Sequence, residues 1–489
     1  MPSDTHRLAR RGIRLMITRQ AALQIITFMG GVVLARVLDP AQFGLYAIAT
    51  FLVGAFALLG EFGLAPSFIQ RREAITELDL RVGFTLQQVF TTAIVAALLL
   101  SAPWLASLYP KAPPDTVWLV RAVAFNLYLT SWRSMSALQL ERALRYDRLA
   151  RIEVVETLSY QAIAVGLALA GLGVWSFVWA SVARGVLGAL LVFLAAPWNV
   201  RVAFDRRVAA RILTYGLPFQ LQSLTNAVGG WITPLFVGSF IGPQAVGYLT
   251  WASSNGKKPL VLVDSVMRVA FPHFARIQAD PREVERTVVR YLTYLLLPAG
   301  LWFVLLFGAG SDVVTLVYTR KWSPAAPALT LYAATLPLDV IAWISATALN
   351  AVGHVHHPTR VAGARTLGQI LLAIPLIKFA GFDGVPIAML VASAVTVPWI
   401  LLGFGRDAAT RMLRPLAWLV YPVGCGGAVA FVIRQYASGT AVSALVSVFT
   451  LTLFFAATAW LTAPSWLKDV FWLTRGRPWG TADAATGTP

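Results

Sequence analysis

Nine ionisable side chains fall inside stretches that are otherwise apolar enough to cross a bilayer: Glu61, Arg121, Arg133, Arg184, Lys257, Lys258, Asp264, Arg268 and Asp339. A charge near the centre of a lipid-embedded helix costs about 2.5–3.5 kcal/mol, so nine of them unpaired would cost on the order of 25 kcal/mol. They must pair, or line a cavity that holds water. Helical spacing sorts some of them, because Lys257, Val261, Asp264 and Arg268 recur at i, i+4, i+7 and i+11 on one narrow stripe. That stripe pairs Asp264 with Arg268 and leaves Lys257 free. Pro259 directly follows the two lysines, removes a backbone hydrogen bond and predicts a kink. Cations outnumber acids in the set, so the expected chemistry is anion binding. Arg133, Arg184, Lys257, Lys258 and Arg268 are the candidate binding cations, and Glu61, Asp264 and Asp339 the candidates for gating or for carrying a coupling ion. The structural alternative is a set of ion pairs between helices, with Arg121 and Arg268 snorkelling to the interface. Glu153 and Glu156 follow an arginine-rich loop and read as its counter-ions.

Other chemistry is sparse. The tract His354-Val355-His356-His357 has the composition of a metal ligand set but no nearby acid or Cys, so no metal site is expected there. Gln87, Gln88, Gln220, Gln222, Asn226 and Gln369 are uncharged hydrogen bonders within spans and read mostly as links between helices. The single Cys, Cys425, lies in an apolar run, where packing is its expected role. Phosphate-binding loops, dinucleotide turns and nucleophile elbows are missing from the sequence, so neither a cofactor nor ATP-driven transport is expected.

The elements that position these charges follow from hydropathy. The 489 residues are 57% hydrophobic and 13% charged, with a mean hydropathy of +0.68. Soluble domains carry about 25% charged residues. Runs such as Thr91–Ala102 and Gly185–Ala196 are apolar on every face, which excludes an alternating β-barrel and predicts an all-α polytopic membrane protein. About fourteen spans are expected, near 17–38, 41–69, 80–108, 115–140, 148–171, 173–197, 214–241, 243–275, 283–308, 325–352, 360–380, 383–405, 415–435 and 440–463. With the N-terminus inside, cytoplasmic segments hold 28 of the 40 basic residues and the opposite side only six: Arg36, Lys111, Arg320, Lys321, Lys378 and Arg434. Both termini are therefore expected in the cytoplasm. The +18 net charge follows this loop-by-loop pattern rather than a nucleic-acid surface. Trp104, Trp118, Trp175, Trp198, Trp322 and Trp466 near segment ends read as interfacial belts.

The chain also carries an internal duplication. A shift of 203 places sets Pro40-x-x-x-Gly44 over Pro243-x-x-x-Gly247 and Glu61 over Asp264, with an apolar run before and after each Pro. This divides the chain into a basic N-terminus (1–16), an N-lobe (17–200), a C-lobe (201–405), a C-terminal helix pair (406–463) and a flexible tail (464–489). The charged even-numbered spans would then face a common interior.

Four stretches carry a family resemblance. Leu34-Ala35-Arg36-Val37-Leu38-Asp39-Pro40-Ala41-Gln42-Phe43-Gly44-Leu45-Tyr46 is similar to the first hairpin of the Wzx-type polysaccharide flippases, in the multidrug, oligosaccharidyl-lipid and polysaccharide exporter superfamily. Glu61-Phe62-Gly63-Leu64 continues it, with Glu where the family often has Asp. Leu138–Ala150 resembles the exopolysaccharide branch but has Gln139-Leu140-Glu141 where Gln-Arg-Glu is commoner, and Phe271-Pro272-His273-Phe274-Ala275-Arg276 is like that family's eighth-span ending. The resemblance implies two pseudo-symmetric six-helix lobes around a central cavity, plus two helices. It also implies an undecaprenyl-diphosphate-linked oligosaccharide as substrate, a proton or sodium ion for coupling, and a bacterial inner-membrane location beside a polysaccharide polymerase and export machinery. A drug exporter or peptidoglycan-precursor flippase of the same superfamily is the near alternative. A polytopic polymerase or glycosyltransferase is the distant one, and would require a long outer loop with catalytic residues.

Overall fold

A computed structural model of the chain describes residues 23–60, 68, 76–143, 145–214, 228–436 and 441–462. The basic N-terminus, Glu61-Phe62-Gly63-Leu64, Gln220, Gln222, Asn226, Trp466 and the tail lie outside the described residues, as does the side chain of Arg268. All regular structure among the described residues is helical. Seven helical stretches among them are long and apolar enough to cross a membrane, and three shorter apolar helices accompany them, so the chain is a multi-pass helical membrane protein.

The chain forms two compact units. One comprises residues up to Trp251 together with Val317–Ala325 and Ile370–Val385. It contains α1 (Leu23–Val37), α2 (Pro40–Gly60), α3 (Glu77–Ser107), α4 (Thr116–Ser131), α5 (Ser134–Arg142), α6 (Tyr146–Leu169), α7 (Trp175–Ala195) and most of α8 (Pro243–Gly256). The other comprises Ala252–Leu316, Ala326–Gln369 and the chain from Pro386 onward. It is built from α9 (Leu260–Ile277), α10 (Pro281–Val313), α11 (Ala326–Ala351), most of α12 (His356–Ala380) and α13 (Gly384–Leu402), α14 (Arg406–Tyr436) and α15 (Ala441–Thr462). Its core joins Val288 and Leu292 of α10, Ile341 and Ile344 of α11 and Leu451 of α15.

The duplicated hairpins meet inside the first unit. In both copies Pro occupies the first position of its helix, where its missing N–H has no intrahelical partner to lose. Gly242, at φ +118°, makes the turn before the second copy. A Cβ on Gly44 would lie 1.7 Å from the Pro243 carbonyl oxygen, and one on Gly247 would lie 1.8 Å from that of Pro40. The two first turns therefore pack backbone against backbone, and the Pro-x-x-x-Gly pattern is a packing motif as well as a turn signal.

The segment after α10 fastens onto the same end of this unit. Trp322 donates from Nε1 to the Ala35 carbonyl at 2.8 Å, Arg36 Nε donates to the Val317 carbonyl at 2.7 Å, and Lys321 Nζ donates to the Arg36 carbonyl at 2.9 Å. Trp322 is thus a buried anchor rather than the interfacial residue its position predicts, whereas Trp104 and Trp118 are exposed as belts require. Cys425 is exposed on α14, not packed.

Helix occupies each predicted span wherever residues are described, with breaks inside three of them. The fourth predicted span divides at Trp132 and Arg133 without a proline. Thr130, Ser131 and Ser134 each donate a hydroxyl to the carbonyl three residues back, and Trp132 N and Arg133 N bond their i−3 carbonyls, so the helix tightens and ends. The described part of the seventh (228–240) is an irregular succession of short turns around Pro234. The eighth breaks at Lys257–Pro259, where the proline predicts it. Leu260 N turns to the Lys257 carbonyl, and the Gly256 carbonyl that this leaves accepts the Trp302 indole N–H at 3.0 Å.

Candidate functional site

Three of the five candidate cations, Arg133, Arg184 and Lys257, gather around two buried carboxylates, one in each unit. In the first, Arg133 sits at the break between α4 and α5, and its Nη1 lies 3.1 Å from Glu156 on α6. Arg184 on α7 approaches the same carboxylate with Nε at 3.7 Å, and its guanidinium lies 6.0 Å from the Tyr160 ring centre. Glu156 is 1% exposed. Gly188 on α7 makes room for it, since a Cβ there would lie 2.3 Å from Oε1. Glu156 is therefore the buried bridge between two candidate cations, which corrects its reading as a loop counter-ion. The signal for it is present in the sequence: Glu156 lies well past the first turn of a span, where a loop partner no longer reaches.

In the second unit, Lys257 sits at the break between α8 and α9. Its Nζ lies 2.9 Å from Asp339 Oδ2 on α11, 3.3 Å from the Met389 sulfur and 5.7 Å from the Tyr332 ring centre. Arg365 on α12 bonds the other oxygen of Asp339 through Nη2, and Thr335 Oγ1 lies 3.4 Å from Oδ2. Lys257 is thus paired, contrary to the stripe argument that left it free. Arg365, near the start of the predicted 360–380 span, reaches inward to a buried acid. Gly256 permits this geometry, because a Cβ there would lie 2.9 Å from the Leu329 carbonyl oxygen and from Tyr332 Cβ.

The remaining candidates are placed less informatively. Lys258 lies in the same break and Asp264 one turn into α9, both partly buried. Arg121 donates to the Leu99 carbonyl at 3.2 Å and lies over the Trp118 ring at 4.9 Å, the geometry of a snorkelling side chain. Gln88 on α3 bonds Ser131 on α4 at 3.0 Å, linking helices. Among the described residues no group of three or more His, Cys, Asp and Glu has a metal-binding arrangement.

Each cluster is one carboxylate between two cations, so when all three groups are ionised each keeps one surplus positive charge. Burying a carboxylate beside cations without loss requires such pairing. The arrangement can hold an anion with oxygen acceptors, and its guanidinium groups can do so bidentately.

Known proteins resemble this chain in fold or in sequence. Lipid II flippase MurJ in an inward closed conformation matches 94% of this chain and 99% of its own, with a TM-score of 0.74 at 15% identity, a likeness of fold. Teichuronic acid biosynthesis protein TuaB of Bacillus subtilis (strain 168) is 30% identical over 284 residues, 56% of either chain. Lipopolysaccharide biosynthesis protein WzxC of Escherichia coli (strain K12) is 24% identical over 318 residues, 61% of either. The chain thus spans less than two thirds of these two relatives' lengths. Residues 33–327, more than half of the chain, match the Polysacc_synt_3 family model, whose description is polysaccharide biosynthesis protein, and the chain belongs to that family.

Proposed function

We propose that this protein moves an undecaprenyl-diphosphate-linked oligosaccharide repeat unit from the cytoplasmic to the periplasmic leaflet of a bacterial inner membrane, for exopolysaccharide or O-antigen synthesis. It does so as a transporter rather than an enzyme, by ion-coupled alternating access, with both termini cytoplasmic. The observation that carries the reading is the uneven exposure within each cluster. The side chains of Arg133 and Arg184 are 35% and 45% exposed against 1% for Glu156, and those of Lys257 and Arg365 are 17% and 23% against 8% for Asp339. Within each cluster the acid is the shielded group, and the accessible groups are the cations. That polarity suits a diphosphate, whereas a site for organic cations would expose the acids.

In this reading Arg133, Arg184, Lys257, Lys258 and Arg268 attract the diphosphate and its sugars, and Arg365 positions Asp339. Glu61, Asp264 or Asp339 gates the path or carries a proton or sodium ion. The polymerase and export machinery receive the product. Membership of a polysaccharide biosynthesis family, with relatives named for teichuronic acid and lipopolysaccharide, supports a glycan cargo.

The test is the double variant Lys257→Gln/Arg184→Gln at normal membrane level, in which glycolipid translocation should stop. Undiminished translocation overturns the assignment of the cations. Asp339→Asn separates the coupling role: loss of dependence on the pH gradient supports it, and a normal gradient response removes it.

A further inference from the structure

The polar ends of α10, α11, α13 and α14 in the second unit enclose a cleft of about 480 Å³ that shares no residue with the Lys257–Asp339–Arg365 cluster. Its lining combines apolar side chains, Val352 and Phe404 among them, with three guanidinium groups, Arg282, Arg406 and Arg411. The two acids of the lining, Glu285 and Asp407, both lie within electrostatic reach of Arg411. Glu285 accepts two hydrogen bonds from Arg411, at 2.5 Å from Nε and 2.7 Å from Nη2, which fixes that guanidinium against the wall. Asp280, just before α10, accepts the Arg282 and Glu283 backbone amides. Asp407 lies in the first turn of α14, where the helix dipole favours a carboxylate. Among the described residues neither Arg282 nor Arg406 has an acid partner. Two exposed, unpaired guanidinium groups therefore share one concavity with an apolar lining, and Gly405, at φ +97°, turns the chain into α14 at its edge.

We propose that this cleft binds a phosphate group borne by an amphipathic molecule, independently of the cargo that the buried clusters are assigned. Arg282 and Arg406 take the phosphate oxygens, in the fork geometry that guanidinium groups offer to phosphate. Phe404 and Val352 cover the apolar part of the molecule that carries it. An anionic phospholipid headgroup from the adjacent leaflet and a soluble phosphate compound present the same chemistry, and the experiment distinguishes them.

The full-length protein is placed in nanodiscs of phosphatidylcholine with and without a minority of phosphatidylglycerol, and retained lipid is counted by native mass spectrometry. The wild-type chain should retain phosphatidylglycerol, and Arg282→Gln/Arg406→Gln should retain about tenfold less. Arg286→Gln, which removes a cation of α10 outside the cleft, should behave as wild type. Calorimetric titration of phosphatidylcholine nanodiscs with inorganic phosphate supplies the second arm. Phosphate binding that the double variant loses, without retained lipid, supports the site and assigns it a soluble ligand. Equal lipid retention together with equal or undetectable phosphate binding in wild type and double variant overturns it. Both arginines are exposed, and the single Arg406→Gln variant, expected to lose several-fold in the same assays, serves if the double variant does not fold.

Discussion

Gly44 and Gly247 occupy equivalent positions of a duplicated Pro-x-x-x-Gly turn, and each stands where a methyl group would collide with the carbonyl oxygen of the other copy's proline. The contact is reciprocal: residue and partner exchange roles, as in the isologous face of a symmetric dimer.

Gly44→Ala and Gly247→Ala should each destabilise the protein by about 1–3 kcal/mol, the range for overpacking a close contact. Because both substitutions force the same two helix turns apart, the double variant should lose less than the sum of the two. Thermal unfolding in detergent checks this; full additivity would show that the turns do not share one contact.

Removing Asp339 leaves Lys257 and Arg365 facing one another without a counter-ion. Asp339→Asn should therefore cost about 3–5 kcal/mol, and adding Lys257→Met should recover a large part of it, since one uncompensated charge is gone. Unfolding midpoints of the single and double variants decide the matter. An Asp339→Asn chain as stable as wild type would rule out an ionised cluster.

Gly188 tests the other cluster without touching a charge. Gly188→Ala should displace the Glu156 carboxylate, loosen both Arg133 and Arg184, and cost about 1–3 kcal/mol. Combined with Glu156→Gln it should cost little more than either change alone, because the same contact is removed twice. The readout is a double-mutant cycle on thermal stability.

Trp322→Phe keeps the aromatic packing against Phe43 and Trp251 but leaves the Ala35 carbonyl without its indole donor. A loss of about 1–3 kcal/mol is expected for that buried acceptor. Hydrogen exchange should report it as increased opening of residues near 35 and 322, with distant helices unaffected. Uniform loosening of the whole chain would refute a local role.

Much of the architecture is legible in the sequence because membranes impose it. A segment in lipid must satisfy its own backbone hydrogen bonds, so apolar runs of sufficient length mean helices, and Pro259 marks its break for the same reason. The hairpin turns are equally readable, since Pro at a helix start and Gly nearby have local meaning. The break at Trp132–Arg133 is harder to see. Hydroxyls of Thr130, Ser131 and Ser134 cause it, yet Thr250, Thr452 and Thr458 bond the preceding turn in the same way inside unbroken helices.

What the sequence alone determined is that charges such as Arg133, Arg184, Lys257 and Asp339 must be paired or hydrated, because lipid penalises them singly. Which groups pair was decided only by tertiary structure. Helical periodicity relates residues within one span, and so matches Asp264 with Arg268, but it says nothing of neighbours on other helices. Lys257 meets Asp339 82 residues away, Arg133 meets Glu156 23 residues away, and Arg365 reaches a helix that ended before its own began. Those partners depend on which helices pack and how closely their glycines let them approach, and hydropathy, common to every span, cannot distinguish one neighbour from another.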